Sequence, residues 1–152
     1  MANWAQFSQS APEMAAAGRE LLYQHGVGLA YLATIRPDGG PRIHPFCAIQ
    51  VGEGLFGLIG TSPKRRDLVR DGRFSIHTFP QRNGDNEFYL TGTAKRVIDQ
   101  AAIDAARADM IAHGAKSSED EWLFEFGIEH ALLSIYESLG SWPPVYTKWH
   151  AS

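Results

Sequence analysis

Residues 55–79 read LFGLIGTSPKRRDLVRDGRFSIHTF. The apolar run 55–59 predicts one strand and residues 74–79 predict another. Between them Thr61-Ser62-Pro63 marks a helix start, since Ser62 is a good N-cap and Pro63 fits the first helical position. The helix is expected over about residues 63–71 and is closed by Asp71-Gly72. Its first turn carries Lys64, Arg65 and Arg66. A helix N-terminus already bears about half a positive charge, so acids rather than cations are favoured there. Three cations at that end make sense if an anion docks between them, held by free backbone N–H groups, the Ser62 hydroxyl and the basic side chains. The same residues also read as a solvated turn that Asp67 and Asp71 partly neutralise, because charge runs are commonly just solvated faces.

Working outward, residues 27–35 form a nearly continuous apolar run that predicts a buried strand. Arg36 to Gly40 is a hairpin turn signal, and residues 42–51 are the expected return strand, with an edge, a bulge or an interruption at Pro45. Gly52-Glu53-Gly54 turns the chain into the strand at 55–59. After 74–79, the polar loop Gln81 to Asn86 leads to a strand at 87–97. Helices are predicted over 13–25 and 99–113 from apolar residues at three- and four-residue spacing. Residues 122–127 are apolar and ambiguous, 130–137 read as a sixth strand, and the tail from Trp142 suggests a short final strand ending at Trp149. Short connections make consecutive strands antiparallel, and five or six of them in so short a chain suggest a closed barrel that leaves few edges. The expected class is mainly β (α+β), with flanking helices.

The chain has 152 residues, enough for one domain, 1–152, with one core. Its net charge of −3 gives no global basic field, so a nucleic-acid partner is not expected. Cys47 is the one cysteine, so no internal disulfide can form. No apolar stretch reaches the roughly 20 residues of a membrane span, and no signal-peptide pattern opens the chain. A cytoplasmic, membrane-free protein is the expectation. The six histidines are scattered without metal-ligand spacing, so no metal site is expected. Cys47 reads as a small core residue, and Trp122, Phe124 and Phe126 as core or interface packing.

A second feature is Asp38-Gly39-Gly40-Pro41-Arg42-Ile43-His44-Pro45. Arg42 leaves the turn at the start of a strand and could reach the same anion if that strand neighbours 55–59. Pro45 frees nearby backbone groups, which could then bond the polar edge of a planar ligand. Read singly, Arg42 is an exposed hairpin arginine and Pro45 a strand interruption.

Taken in order over residues 27–97, these motifs resemble the pyridoxamine 5′-phosphate oxidase-like, FMN-binding split-barrel family. The matching pieces are Ala33-Thr34-Ile35, the turn Asp38 to Arg42, His44-Pro45-Phe46, Ser62 to Leu68, Asp71-Gly72-Arg73 and Gly92-Thr93-Ala94. The resemblance implies a six-stranded antiparallel split β-barrel that forms a homodimer with flavin at the interface. It implies that Arg42, Ser62 and Lys64 hold the FMN phosphate, with Thr61 and Arg65 as close candidates. The backbone of Ile43, His44, Pro45 and Phe46 would run beside the flavin ring, and Glu87 and Trp149 would approach it from the second subunit. The tail from Tyr146 to Ser152 lacks the arginine-bearing substrate motif of true pyridoxamine phosphate oxidases, which argues against that particular reaction.

The expected activity is FMN-dependent oxidoreduction of a small molecule, with a reduced nicotinamide as possible donor; no catalytic side chain is singled out. A deazaflavin coenzyme, with a longer acidic tail, would suit the Lys64–Arg66 cluster equally. A non-catalytic flavin- or haem-binding protein is the remaining reading, with His44 or His77 as the haem ligand.

Overall fold

Two strands that are only two residues apart in sequence stand at opposite ends of the sheet. The computed structural model describes residues 1–152. The helices are α1 Trp4–Ser10, α2 Pro12–Leu22, α3 Pro63–Arg70 and α4 Gln100–Ala112. The strands are β1 Ala30–Ile35, β2 Pro41–Phe46, β3 Ile49–Val51, β4 Gly54–Ile59, β5 Arg73–Thr78, β6 Glu87–Val97, β7 Trp122–Ile135 and β8 Val145–His150. Their order in the sheet is β2-β1-β5-β6-β7-β4-β3, every pairing is antiparallel, and β8 adds to β7. Because β2 continues into β3 through Cys47 and Ala48, the segment 41–51 is one bent strand that joins both ends of the sheet. Counted that way, six strands close a split barrel, and β8 is an addition on its outside.

The return strand breaks at Cys47-Ala48, and of the alternatives open at Pro45 it is the edge that forms. The reason for the break lies twenty residues away: the Ala48 amide donates to the Gly28 carbonyl at 3.1 Å. A Cβ on Gly28 would stand 1.8 Å from the Ala48 carbonyl oxygen, so only glycine permits this approach. Pro45 sits opposite Tyr31 in an unbroken β1–β2 ladder. It is tolerated because the other side of β2 has no strand partner.

Residues 122–127 and 130–137 are not separate elements. Trp122–Ile135 is a single 14-residue strand. It pairs along β6, and its other edge serves β4 at residues 122–125 and then β8 at 130–135. Its first residues form an apolar run because both faces are covered there, Phe124 and Phe126 packing in the main core and Leu123 against Ala106 and Met110 of α4. Helix α1 was not anticipated; its start carries a capping box between Asn3 and Gln6. The predicted helix at 13–25 stops earlier, at Leu22.

The interior is aromatic. Phe7, Phe88 and Phe126 have no solvent exposure, and Phe74 meets Phe126 edge-on at 4.8 Å. Each such side chain contributes about 1.5–3 kcal/mol of burial. Gly18 of α2 lets the Phe88 ring approach, since a Cβ there would lie 2.5 Å from it. No helix is long and apolar enough to cross a membrane.

The β6–β7 register shifts between Thr91 and Gly92, where a Cβ on Gly92 would stand 1.9 Å from the Gly127 carbonyl oxygen. Gly92→Ala must therefore push two backbones apart. Urea unfolding should show a loss of at least about 2 kcal/mol, whereas the same change at Gly60, where a Cβ would meet nothing nearer than Asp120 Oδ2 at 3.6 Å, should cost less.

Candidate functional site

Helix α3 begins as its sequence requires. The Ser62 hydroxyl accepts from the Arg65 amide at 3.3 Å, and Pro63 is the first helical residue. The three cations that follow then diverge. Lys64 is half-buried, makes no hydrogen bond, and has its pKa pushed down by burial, with Cys47 near enough to oppose that shift. Burial likewise raises the Cys47 thiol. Arg65 donates to the Asp120 carbonyl at 2.7 Å and to Thr61 Oγ1 at 2.7 Å. Arg66 is exposed and unpaired.

Arg65 also lies on the Trp122 indole, with its guanidinium carbon 4.2 Å from the ring centre, and Arg96 lies on the same ring at 3.4 Å. Two guanidinium groups that close cannot share one face without overlapping, so they take opposite faces. Trp122, Thr61, Ser62, Arg65, Arg66, Val69 and Arg70 line a groove of about 360 Å³. Its walls combine an apolar base with three arginines. Asp120 closes the helix-start side, its Oδ2 accepting from the Thr61 amide and hydroxyl at 3.3 Å each. Hydrogen bonds from Ser118, then from Thr61, hold the Asp120 carboxyl below its usual pKa.

Beneath the groove, Asp67 is 1% exposed and accepts three side chains. Thr34 Oγ1 donates at 2.8 Å and Arg42 Nε at 2.7 Å to Oδ2, and Arg70 donates at 3.1 Å to Oδ1. Arg70 also reaches the Ile35 carbonyl. This one carboxylate ties α3 to β1 and β2. The return strand does neighbour 55–59, but only through residues 49–51; Arg42, at its other end, stands opposite Thr34 of β1 and meets α3 through Asp67. Six basic side chains gather here, Arg42, Lys64, Arg65, Arg66, Arg70 and Arg96, against Asp67, Asp120 and Glu121. In a chain of net charge −3, that leaves the rest of the surface acidic.

The expected residues are thus brought together in part. Thr61, Ser62 and Arg65 share the groove, while Lys64 and Arg42 flank it. Ile43 to Phe46 lie on β2, where Ile43 is 64% exposed and Phe46 is buried. Glu87 is at the far end of β6, with His77 Nε2 3.7 Å from its carboxylate. Trp149 packs edge-on against Phe7 at 4.9 Å and donates to Ser10 Oγ at 2.5 Å. Sequence reasoning missed Arg70, Val69, Trp122 and Arg96. The first two follow Arg66 at helical spacing, which was a usable signal. The other two meet only through the β6–β7 register.

A phosphate-bearing cofactor fits this donor set. Arg66 and Lys64 are free of protein partners, and the Lys64 backbone N–H is one of the orphan donors of the helix start. The apolar base of the groove suits the body of a ligand and the arginines its anionic end.

Neither a family model nor a curated protein matches the sequence. Solved structures do resemble the fold. A heme-binding protein from Mycobacterium smegmatis superposes with TM-score 0.66 at 18% identity, covering 89% of this chain and 57% of that one. This chain therefore spans little more than half of that protein's length. A NimC/NimA family protein from Clostridium acetobutylicum gives 0.63 at 17% identity over 86% and 90%. A second protein from that organism, related to general stress protein 26 of B. subtilis and of the pyridoxinephosphate oxidase family, gives 0.64 at 13% identity over 89% and 92%. These likenesses establish the shared split-barrel architecture.

Burial alone would raise the Asp67 pKa, but the hydrogen bonds from Arg42, Thr34 and Arg70 outweigh it and hold the carboxyl below its usual value. A depressed carboxyl stabilises the fold above its unfolded pKa of about 3.9 and loses that contribution as pH falls through its lower folded value. Asp67→Asn should lower stability at pH 7 by roughly 2–4 kcal/mol. In thermal melts the gap from wild type should narrow below about pH 4.

Proposed function

We propose that this chain binds FMN, with the phosphate at the α3 groove, and acts as a flavin-dependent oxidoreductase on a small molecule. The observation that carries the reading is the groove itself: an apolar base, three arginines and an N-capped helix start on a split-barrel frame. When bound, the flavin would supply the hydride or electron transfer. The protein's own residues do the rest. Arg66 and the Lys64 backbone N–H hold the phosphate oxygens. Arg65, pinned by Asp120 and Trp122, keeps a fixed positive charge beside them without having to be ordered on binding. Asp67 holds Arg42 and Arg70 in place, so the site is organised before the ligand arrives.

The protein works as a homodimer in this reading, with the cofactor between copies. Ile43 at 64% exposure and Val69 at 60% leave apolar surface on β2 and α3 for a second copy to cover. Glu87 of the second copy would approach the ring. Trp149 is committed to α1 within its own protomer, which makes it the weaker of the two ring-facing choices.

A deazaflavin coenzyme is the second reading. Arg65, Arg66 and Arg70 spread positive charge along the whole of α3, which suits a tail with more than one acidic group. The absorbance of the purified protein separates the two, since oxidised FMN gives two bands near roughly 370 and 450 nm and a deazaflavin one near roughly 420 nm. A haem spectrum would replace both readings. Colourless protein whose melting temperature FMN does not raise would count against any flavin.

Arg66→Ala should weaken FMN binding by about 1.5–3 kcal/mol, read as roughly a 10- to 150-fold rise in Kd by fluorescence titration. Its melting temperature should hold, because Arg66 has no partner in the fold and its charge is unfavourable at a helix start. An unchanged Kd would place the phosphate elsewhere.

A further inference from the structure

A second cavity lies at the opposite end of β6. Arg96, against the α3 groove, and Glu87 are nine residues apart on that strand, about 30 Å at 3.3 Å per residue. The cavity holds about 460 Å³, and its walls include His77, Phe79, Asp85, Glu87, Tyr136 and Trp142. Two loops frame it and are stitched together. Asn86 Oδ1 accepts from the Tyr136 amide at 2.9 Å, and Asp85 Oδ2 accepts from the Gly140 amide at 2.7 Å. The Asn86 amide donates to Gln81 Oε1 at 2.8 Å, which fixes the turn between β5 and β6. Trp142 is 75% exposed, yet its ring centre is 6.4 Å from that of Tyr136. An aromatic side chain held open to solvent on a stitched rim is a wall with nothing against it.

Inside the cavity His77 and Glu87 face each other with no hydrogen bond between them. His77 Nδ1 is 2.7 Å from the Thr78 carbonyl, which can only accept, so the proton sits on Nδ1. In the neutral ring Nε2 is then an acceptor. It points at Glu87 Oε1 from 3.7 Å, acceptor to acceptor. Directly across from Glu87 in the β6–β7 pairing stands Ser134, on the same face of the sheet. Ser134 is 1% exposed and its Oγ has no hydrogen-bond partner. A desolvated hydroxyl without a partner is costly, so Ser134 marks this end of the sheet as short of hydrogen-bonding groups. Partial burial, then Glu87, Tyr146 and Asp85, raise the Tyr136 phenol, which shows the negative potential that these acids place on the aromatic wall. Arg82 lies in the framing loop but is exposed and does not line the cavity.

We propose that this cavity binds a small organic cation bearing N–H donors: a protonated amine whose apolar body rests on Tyr136 and Trp142. Its N–H groups sit between Glu87 and His77 Nε2, which stand 3.7 Å apart with no hydrogen bond between them. The carboxylate and the aromatic faces attract the positive charge together, and an aromatic face alone attracts a cation usefully. No bond is made or broken. The walls all come from one protomer; since the proposed function also brings Glu87 to the partner's flavin ring, the test carries an arm that keeps the two readings apart.

The test uses benzylamine, cationic at pH 8, against the neutral benzyl alcohol of nearly the same shape. Both are titrated into the whole protein at pH 8 and followed through the Gly84 and Gly140 amides by NMR. Benzylamine should bind with at least a tenfold lower Kd. Glu87→Gln should abolish that preference, and Trp142→Ala should weaken both probes several-fold while keeping the preference. Arg66→Ala should change neither, so that failure here and failure at the α3 groove show separately. Equal Kd values for the two probes, or a preference that survives Glu87→Gln in a variant of native melting temperature, would overturn the proposal.

Discussion

A buried carboxylate among three donors decides where helix α3 sits. Asp67 loses its hydration on burial, and that loss is tolerable only while Thr34, Arg42 and Arg70 surround it. Since those donors come from β1, β2 and α3, satisfying one charge fixes three elements relative to one another. The arginines gain as well. Each keeps a rigid position it could not hold alone in water, and two positive charges share one negative one. What remains is net positive charge at a defined place on an acidic molecule, which is the electrostatic condition for drawing in an anionic ligand.

Barrel closure and site construction use the same pieces of chain. The bent segment 41–51 carries Arg42 at one end and meets β4 at the other, and β4 leads directly into α3. Gly28 makes the bend possible by letting Ala48 come within hydrogen-bond range. Long strand β7 performs a similar service on the far side, holding β6 along one edge and handing its other edge from β4 to β8. Its first residue, Trp122, therefore arrives beside α3, while Ser134, near its last, lies by the other cavity. One continuous strand spaces the two pockets.

Local chemistry was legible in the sequence, and contact between distant segments was not. The cap at Ser62, the start of α3 at Pro63 and the full extent of strand 87–97 follow from turn residues and periodicity close at hand. The same holds for helix 99–113, which forms over 100–112. The break between β2 and β3 at Cys47-Ala48 depends on a glycine twenty residues earlier, which nothing nearby signals, whereas Pro45 marked the sheet edge correctly. Residues 122–127 looked ambiguous because a strand covered on both faces loses its alternation. In the site, Thr61, Ser62 and Arg65 were visible as a helix-start motif. Arg96 and Trp122 were invisible, because their meeting is set by strand register. Arg42 was found by its strand, which does border β4 at residues 49–51, but what brings its own side chain to α3 is the Asp67 carboxylate.

The stacked trio at the groove has an optical consequence. Of the four tryptophans, Trp122 lines this groove, while Trp4, Trp142 and Trp149 lie against other parts of the molecule. An excited indole is a large dipole, and a guanidinium on each face sets the energy of its emission. Whatever pulls Arg65 towards itself unbalances that pair of charges and recolours the fluorescence. The groove therefore carries its own dye, already positioned where occupancy would be felt first.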